Sequence, residues 1–268
     1  MATLDGEPVS ADDLLPLALT NLGHFTTVRV EADGTVRGLS RHLDRLVRDC
    51  GAVLGAGLDP GRVRDLLRQQ VHGQALPCVV RVTVYDPRAD LGNLARAGEP
   101  HVLLSVRAAA PVPPRPLRAM TVAYERDVPQ VKHVGLFGAL HARRIAQLAG
   151  YGDALFVDRD GRVSEGSTWN VGFVDRDGTV VWPRAEVLPG VTMALLKQHT
   201  GHRVAPHPGP GQGHAGRVRH QHRLRRPPVG GDRRDRVRER PPGTGPPARD
   251  VRLDPRRDAV DDGGPAGS

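Results

Sequence analysis

Nine aromatic residues mark the part of this chain that can fold. All four Phe, both Trp and all three Tyr lie before residue 201, and the tail that follows also lacks Ile and Met. A segment without large apolar side chains cannot bury enough surface to offset the conformational entropy lost on folding. The sequence therefore predicts a folded body over residues 1–200 and a disordered tail over residues 201–268.

The charge of the chain is unevenly divided at the same point. The formal net charge is +8, yet residues 201–268 hold 15 of the 38 basic residues and 8 of the 30 acidic ones, which leaves the body nearly neutral. A basic arm for nucleic acid is one interpretation of the tail. The tail, however, contains neither lysine nor the aromatic rings on which bases stack. We therefore expect no nucleic-acid partner and keep a basic-tail binder only as an alternative.

A third interpretation of the tail concerns the gene. Residues 201–268 are rich in Arg, Gly, Pro and Ala, the residues of GC-rich codons, and they show no helical or strand period. Arginine also far outnumbers lysine in the body, which indicates a GC-rich gene. We therefore hypothesise that the tail is read from a shifted frame after residue 200 or thereabouts, and that the product is inactive if its fold is incomplete.

Cysteine usage and the lack of long apolar segments bear on the compartment. The sequence has no apolar N-terminal segment and no apolar run of about 18 residues, so we expect a cytoplasmic protein without a membrane span. Cys50 lies on the apolar side of a predicted helix and Cys78 in a predicted strand, where small buried side chains are expected. We expect no disulfide and no metal site.

Residues 1–110 predict a small α+β domain. A short strand and turn is indicated at residues 4–7, and β-branched and apolar runs predict strands at residues 24–31, 35–38, 78–85 and 101–106. Two amphipathic helices are predicted, one with Ser40 as its N-cap and one over residues 61–71. The apolar face of the first helix is formed by Leu43, Leu46, Val47, Cys50, Val53 and Leu54.

A proline-rich linker separates this domain from a second one. Residues 111–116 favour the extended polyproline conformation, so we place the domain boundary there. Residues 117–200 predict a mostly β domain with one long helix at residues 138–149 and strands at residues 117–124, 154–158, 162–164, 170–174 and 179–182.

Lysine is scarce in this chain, which narrows the choice for amine chemistry. Lys132 and Lys197 are its only lysines, although arginine is abundant. Arginine cannot serve as the nucleophile because its guanidinium stays protonated, whereas a lysine amine can lose its proton. Lys197, late in a predicted helix, is most simply a solvated surface charge. Lys132 lies between an extended segment and a helix of small and apolar residues.

Several segments, in their order and spacing, resemble the class IV aminotransferases. They lie between residues 4 and 196 and read FTTVRV, LSRHLDRL, VKHVGLFGALHARR, DALFVDRDGRVSEGSTWNVGFV and LPGVTMALL. The family comprises pyridoxal-phosphate enzymes of the branched-chain aminotransferase, D-amino acid aminotransferase and aminodeoxychorismate lyase types. The resemblance implies the two-domain fold-type IV architecture, with a small N-terminal α/β domain and a mostly β, cofactor-binding C-terminal domain.

The resemblance also implies roles for individual residues. It assigns Lys132 as the lysine that holds pyridoxal phosphate as an internal aldimine and moves the substrate proton. It assigns Glu165, in the SEGSTWN turn, to the pyridine nitrogen, and Arg45, in HLDRL, to the cofactor phosphate. Val191 and Thr192, in LPGVT, match the start of the family's phosphate-binding helix, where free backbone N–H groups accept an anion.

Two activities of the family remain open. FTTVRV, LSRHLDRL and VKH look closer to the aminodeoxychorismate lyases, which release pyruvate, whereas VSEGSTWNVGFV and LPGVT look equally like the transaminases. The expected partners are therefore an amino acid with a 2-oxo acid, or aminodeoxychorismate. A complete fold would be expected to form a homodimer, without a membrane partner.

The C-terminal end departs from the family pattern. Family members continue beyond the LPGVT helix with further strands and a second phosphate-binding loop that carries hydroxyl groups. Here the tail offers only Thr244 and Ser268 as hydroxyl side chains. The second domain is therefore expected to be incomplete.

Overall fold

A computed structural model describes residues 2–95, 98–111, 116–207, 215–218 and 251–252. The chain divides into two compact units. Unit 1 comprises Met1–Ala110, Val128–Phe137 and Asp250–Ser268, and unit 2 comprises Pro111–Asp127 and Gly138–Arg249. The chain first passes from unit 1 to unit 2 after Ala110. The polyproline conformation predicted for the linker lies, at residues 112–115, outside the described residues.

Both units contain helices and strands, and the predicted α+β class is confirmed. In chain order they are β1 (Ala2–Leu4), β2 (Glu7–Pro8), α1 (Ala11–Thr20), β3 (His24–Val30), β4 (Thr35–Val36), α2 (Leu39–Leu54), α3 (Pro60–Val71), β5 (Cys78–Tyr85), β6 (His101–Ala108), β7 (Leu117–Ala123), α4 (Phe137–Leu148), β8 (Asp153–Val157), β9 (Val163–Gly166), β10 (Phe173–Val174), β11 (Val180–Pro183), α5 (Val191–His199), β12 (His202–Ala205), β13 (Ala215–Val218) and β14 (Val251–Arg252).

Unit 1 is an antiparallel sheet covered by two helices. Its strand order is β14-β4-β3-β5-β6-β1-β2, with β3 paired to β5 from His24↔Val84 to Val30↔Cys78. The predicted apolar face of α2 packs on this sheet together with α3, and its core includes Leu43, Leu46 and Cys50. These residues recur every three or four positions, so they lie on one side of the helix.

The start of α2 differs from the prediction. Ser40 was expected to be the N-cap, but the helix begins at Leu39, and Gly38 is the capping residue at φ 65°. This left-handed backbone conformation favours glycine, so the turn geometry rather than a serine hydroxyl fixes the helix start. Helix α1 was not predicted, although Ser10 and Asp13 form a capping box at its N-terminus.

Unit 2 contains two smaller sheets. One has the order β13-β7-β8-β9, in which β7 and β8 are parallel, and the other has the order β10-β11-β12, in which β11 and β12 are parallel. Helix α4 connects β7 to β8 and buries a row of small residues against Phe156 and its neighbours, namely Ala139, Ala142 and Ala146. Small side chains allow the helix to approach the sheet closely.

The predicted disordered tail is wrong at its beginning. Strand β12 pairs with β11 from Val180↔His202 to Pro183↔Ala205, and the backbone N–H of Val163 donates to the carbonyl of His207 at 2.8 Å. The short strands β13 and β14 also fall within the predicted tail and pair with β7 and β4. The rest of the segment from residue 208 onward lies outside the described residues.

Two searches of the described residues gave negative results. None of the helices in the described ranges is long and apolar enough to cross a membrane. Within the same part of the chain, no group of three or more His, Cys, Asp or Glu side chains is placed to hold a metal ion. Cys50 and Cys78 are both buried as free thiols, as expected.

Candidate active site

The segment that carries Lys132 belongs to unit 1, although the sequence placed it in the second domain. It lies along the edge of β3 that β4 leaves open, since β4 pairs with β3 only at Val30↔Val36. The N–H of Phe25 donates to the carbonyl of Lys132 at 2.9 Å, and the N–H of Val134 donates to the carbonyl of Gly23 at 2.9 Å. Lys132 is thus bound to the central sheet of unit 1.

A buried carboxylate on α2 holds the other side of this segment. The side chain of Asp49 is fully buried, and its Oδ2 accepts the backbone N–H of Lys132 at 2.9 Å. Its Oδ1 accepts two bonds from Arg48, at 2.7 Å from Nη2 and 3.0 Å from Nε. Arg48 Nη2 also donates to the carbonyl of Gln130 at 3.0 Å. Helix α2 therefore binds the Lys132 segment at two points.

The Lys132 side chain lies against an aromatic ring. Its Nζ is 4.7 Å from the centroid of the Phe25 ring, and the Cζ of Arg81 lies 3.5 Å from the same centroid. Cations over an aromatic face are attracted by its quadrupole. Phe25 is itself buried, so the amine rests on a fixed surface of unit 1.

Arg45 is buried nearby in a chain of hydrogen bonds. Its Nη2 donates to the hydroxyl of Thr26, which in turn lies 2.7 Å from Nδ1 of His42. Because Thr26 accepts from Arg45, its own hydroxyl proton is available to His42 Nδ1 in the tautomer that leaves this ring nitrogen unprotonated. Burial, aided by Arg45 and Lys132, lowers the pKa of His42 to about 3, so the imidazole is neutral at pH 7.

The Arg45 guanidinium keeps donor capacity for an anion. Its Nε is buried and has no hydrogen-bond partner among the described residues, and the side chain is 6% exposed. Burial lowers the pKa of Arg45 to about 10, and the nearby Asp49 opposes that effect, so the charge is retained at neutral pH. A buried, charged donor of this kind suits a phosphate oxygen.

Glu165 is placed in unit 2, and the turn expected around it begins later in the chain. Glu165 lies within β9 and is buried at 3% exposure, which argues against a solvated turn carboxylate. Its Oε1 is 3.5 Å from Nε of Arg126, and both side chains are nearly inaccessible. Its Oε2 accepts from Nδ2 of Asn170 at 3.3 Å. A buried carboxylate with these neighbours is oriented and not free to rotate.

Asn170 connects Glu165 to the start of α5. Its Nδ2 also donates to the carbonyl of Leu188 at 2.8 Å. Gly190, the N-cap of α5, approaches Asn170 Oδ1 so closely that a Cβ at this position would overlap that oxygen. The glycine therefore allows the loop and the helix start to lie beside the Glu165 strand.

Val191 and Thr192 form the first turn of α5, as predicted. The N-cap Gly190 has no side chain to accept their N–H groups, and the first helical bond is donated by Ala194 to the carbonyl of Gly190 at 2.9 Å. The first N–H groups of a helix have no partner within it, and they carry the positive end of the helix dipole. This end of α5 can accept an anion.

A second buried carboxylate holds the turn that follows Glu165. Asp153 accepts the Ser167 hydroxyl at 2.6 Å, the Trp169 indole N–H at 3.0 Å and the Ala154 N–H at 2.8 Å. Ser167 and Trp169 are both buried. Asp153 therefore fixes the turn between Glu165 and Asn170 through its bonds to Ser167 and Trp169.

Several residues of these arrangements were not identified from the sequence, four of which bear most directly on the site. Asp49, His42 and Thr26 in unit 1, and Arg126 in unit 2, contact the predicted site residues or their segments. The sequence carried a partial signal for Asp49, because a carboxylate at a buried helical position requires a partner. Arg126 gave no such signal, since it lies in a segment without periodicity.

The fold is shared with solved structures of aminotransferases. Solved structures of similar fold include the branched-chain aminotransferase of Thermoproteus uzoniensis with norvaline, at 20% identity and a TM-score of 0.67, covering 77% of this chain and 78% of that one. The Escherichia coli branched-chain aminotransferase has 18% identity, a TM-score of 0.65, and coverage of 77% and 76%. A pyridoxal-phosphate-bound hypothetical aminotransferase from Mycobacterium tuberculosis has 22% identity, a TM-score of 0.62, and coverage of 77% and 81%.

The sequence itself gives the family. The profile of class IV amino-transferases matches residues 23–205. This chain belongs to the class IV aminotransferase family, which confirms the resemblance, and the cofactor of that family is pyridoxal phosphate. A search of curated proteins gave no match.

Each unit, taken by itself, holds groups of chemical types that this cofactor binds. Unit 1 supplies an amine and a buried guanidinium with an unpartnered N–H, and unit 2 supplies an oriented carboxylate and a helix N-terminus. The cofactor's aldehyde needs an amine, its phosphate needs cationic or N–H donors, and its ring nitrogen needs a carboxylate. Each of these protein groups matches its cofactor group in chemical type.

Proposed function

We propose that this enzyme transfers an amino group between an amino acid and a 2-oxo acid, with Lys132 as the residue that binds pyridoxal phosphate covalently. The observation that carries this proposal is the setting of Lys132. One of two lysines in the chain, it has its backbone N–H and C=O both bonded, and its amine rests on a buried ring. Lys197, by contrast, is associated only with the Trp182 ring, at 5.7 Å, among the contacts of the described residues.

We assign the cofactor phosphate to Arg45 and to the first turn of α5. Arg45 is held in one orientation by Thr26, so its remaining N–H groups are preorganised for an anion. Val191 and Thr192 offer backbone N–H groups, and the Thr192 hydroxyl can add one more bond.

We assign Glu165 to the pyridine nitrogen. A carboxylate at that nitrogen keeps it protonated, which makes the ring a better acceptor of electrons. Arg126 and Asn170 hold Glu165 in place, one on each oxygen. Because both partners are in the same unit as Glu165, its orientation does not depend on the substrate.

Lys132 also has the chemistry to move the substrate proton. When bound, the cofactor supplies an electron-withdrawing ring that makes the Cα–H of an amino acid acidic. The Nζ of Lys132, once neutral, can accept that proton and later return it. Asp49 and the β3 edge hold the backbone from which this amine reaches, so proton transfer requires motion of the side chain alone.

An aminodeoxychorismate lyase is the second candidate. The FTTVRV, LSRHLDRL and VKH segments favour it. Both reactions begin with removal of the Cα proton, and they differ in whether that step is followed by reprotonation or by loss of a β leaving group. The same residues would therefore serve either activity.

The first experiment tests Lys132 directly. Protein loaded with pyridoxal phosphate is treated with borohydride, digested and mapped by mass spectrometry. The cofactor mass should be found on Lys132, and Lys132→Arg should abolish it while the matched Lys197→Arg keeps it. Label on Lys197, or on neither lysine, would contradict the assignment.

A second experiment separates the two activities. The enzyme is incubated with amino acid and 2-oxo acid pairs and, separately, with aminodeoxychorismate. Amino transfer between the pairs supports the transaminase. Pyruvate release from aminodeoxychorismate, without transfer between the pairs, would replace it with the lyase.

We also propose a cytoplasmic homodimer that binds neither nucleic acid nor membrane. Light scattering of the purified full chain should give twice the chain mass of 28.9 kDa. A monomer mass in the presence of cofactor would contradict the dimer.

A further inference from the structure

We propose that Asp49 is a positioning residue that fixes the main chain of Lys132, and thereby the point from which its amine reaches. The inference deepens the function proposed above and rests on the assignment of Lys132. It concerns a residue on α2 whose side-chain hydrogen bonds, among the described residues, go to Arg48 and to the Lys132 segment.

The pattern of backbone bonds at β3 shows what Asp49 replaces. Residues that face each other in a hydrogen-bonded antiparallel pair exchange two bonds. Phe25 donates to the carbonyl of Lys132, but the N–H of Lys132 goes to Asp49 Oδ2 in place of the return bond. The ladder therefore ends at Lys132 because a side chain takes its N–H.

The bond from the Lys132 N–H to Asp49, in place of a bond to Phe25, determines the position of Lys132. If the N–H had no acceptor on α2, it would either remain buried without a partner or turn toward Phe25 and extend the ladder by one bond. The second outcome rotates the peptide that carries the Lys132 side chain. With Asp49 present, the chain leaves β3 at Lys132, and the residue sits at the end of the paired segment.

The placement of the carboxylate is costly, and this argues for a specific role. Asp49 is fully buried, and a buried carboxylate is tolerated only with well-placed donors. Arg48 satisfies one oxygen, and the backbone of Lys132 satisfies the other. An ion pair with Arg48 alone would not require burial, because the Arg48 side chain is half exposed.

The same charge acts on the phosphate anchor. Asp49 raises the pKa of Arg45 against the larger, lowering effect of burial, and it acts in the same direction on His24. One carboxylate thus sits close to both groups that we assign to the cofactor in unit 1. Its bond to Lys132 N–H and its charge toward Arg45 are separable by mutation.

The test measures the Lys132 backbone in the cofactor-free full chain. Amide hydrogen exchange is followed at Lys132 and at Phe25 in Asp49→Ala, Asp49→Asn and the matched control Asp44→Asn, an exposed carboxylate on the same helix. Removing a hydrogen bond to a charged group should speed Lys132 exchange roughly 10- to 100-fold in Asp49→Ala. Asp49→Asn keeps an oxygen acceptor and should give a smaller rise, on the order of 10-fold. Asp44→Asn should match the parent.

A second readout uses the two lysines of the chain. Limited reductive methylation at several pH values, resolved by mass spectrometry, gives the reactivity of Lys132 relative to Lys197 in each variant. The reactivity of Lys132 relative to Lys197 should change in both Asp49 variants and stay at the parent value in the Asp44→Asn control; an unchanged ratio in both Asp49 variants would contradict the positioning role. A purely structural loss would alter both lysines together.

The outcomes are distinct from those of the proposed function. Unchanged Lys132 exchange in Asp49→Asn, with Phe25 still protected, overturns the positioning role even if borohydride places the cofactor on Lys132. The graded exchange response with cofactor found on another residue would instead overturn the assignment of Lys132. If Asp49→Ala does not fold, Asp49→Asn alone decides, because its shape is unchanged.

Discussion

The buried Asp153 network gives the sharpest stability prediction for unit 2. Replacement of Asp153 by Ala removes the acceptor of three bonds, from the Ser167 hydroxyl, the Trp169 indole and the Ala154 N–H. All three donors belong to buried residues. Water cannot readily replace the carboxylate there, so the donors would lose their partner on folding.

The expected loss follows from these bonds. A hydrogen bond to a charged group contributes about 1.5–3 kcal/mol, but relief of the carboxylate's own desolvation offsets part of the sum. We expect the free energy of unfolding to fall by about 3–5 kcal/mol, as for other buried charges whose network is broken. With a urea m value of about 1.5 kcal/mol per M, the midpoint should fall by about 2–3 M.

Tryptophan fluorescence is the appropriate assay because both tryptophans, Trp169 and Trp182, lie in unit 2. Unfolding of unit 2 can therefore be followed separately from that of unit 1. The matched control is Asp160→Ala, whose exposed pair with Arg162 should contribute less than about 1 kcal/mol. A midpoint shift in Asp153→Ala no larger than in the control would refute the reasoning.

Three further predictions concern the site, the acid range and the tail. Glu165→Gln should keep cofactor on the lysine yet lose most turnover, since a neutral amide cannot hold the ring nitrogen protonated; unchanged turnover would remove Glu165 from its role. Burial lowers the pKa of His24 from 6.5 to about 4 and that of His42 from 6.5 to about 3. Both imidazoles are therefore neutral in the folded protein, and the free energy of unfolding is highest above pH 6.5 and decreases as the pH falls toward 4 and 3. Urea unfolding by circular dichroism should show up to about 1.4 kcal/mol per pH unit for each histidine, and His42→Gln, but not His199→Gln at an exposed position, should flatten this slope. Finally, the reading-frame hypothesis now places the shift after residue 205, because β12 belongs to the fold and the family match extends that far; another frame of the coding DNA should encode apolar alternation and a loop with hydroxyl groups, and the repaired chain should melt at a higher temperature with cofactor.

Elements with a strong period were predictable from the sequence, and those defined by long-range contacts were not. Strand β5 was predicted with the bounds that the structure gives, because seven of its eight residues, all but Arg81, are apolar, β-branched or aromatic. Helix α1 was missed because Pro16 interrupts its pattern. Strand β12 was missed because HRVA has no period of its own and is specified by pairing with β11.

The same distinction applies to the candidate site. Lysine scarcity and the family segments singled out Lys132, Glu165 and Arg45. Their partners could not be predicted, because Asp49 and Lys132 are 83 positions apart, and only the fold brings them together. Residue type identifies groups that can react, whereas sequence separation conceals the groups that hold them.

Unit 1 is built from separate segments of the chain, so the ribosome does not synthesise it in one piece. After residue 110 the chain enters unit 2, and it first returns to unit 1 for Val128–Phe137. Until that segment leaves the ribosome, no strand among the described residues before it pairs with the part of the open β3 edge that it later bonds. An unpaired strand edge is a template for association with other chains. The newly made N-terminal portion is therefore vulnerable to aggregation for the time needed to add fewer than thirty residues, and the segment that brings the lysine also ends that vulnerability.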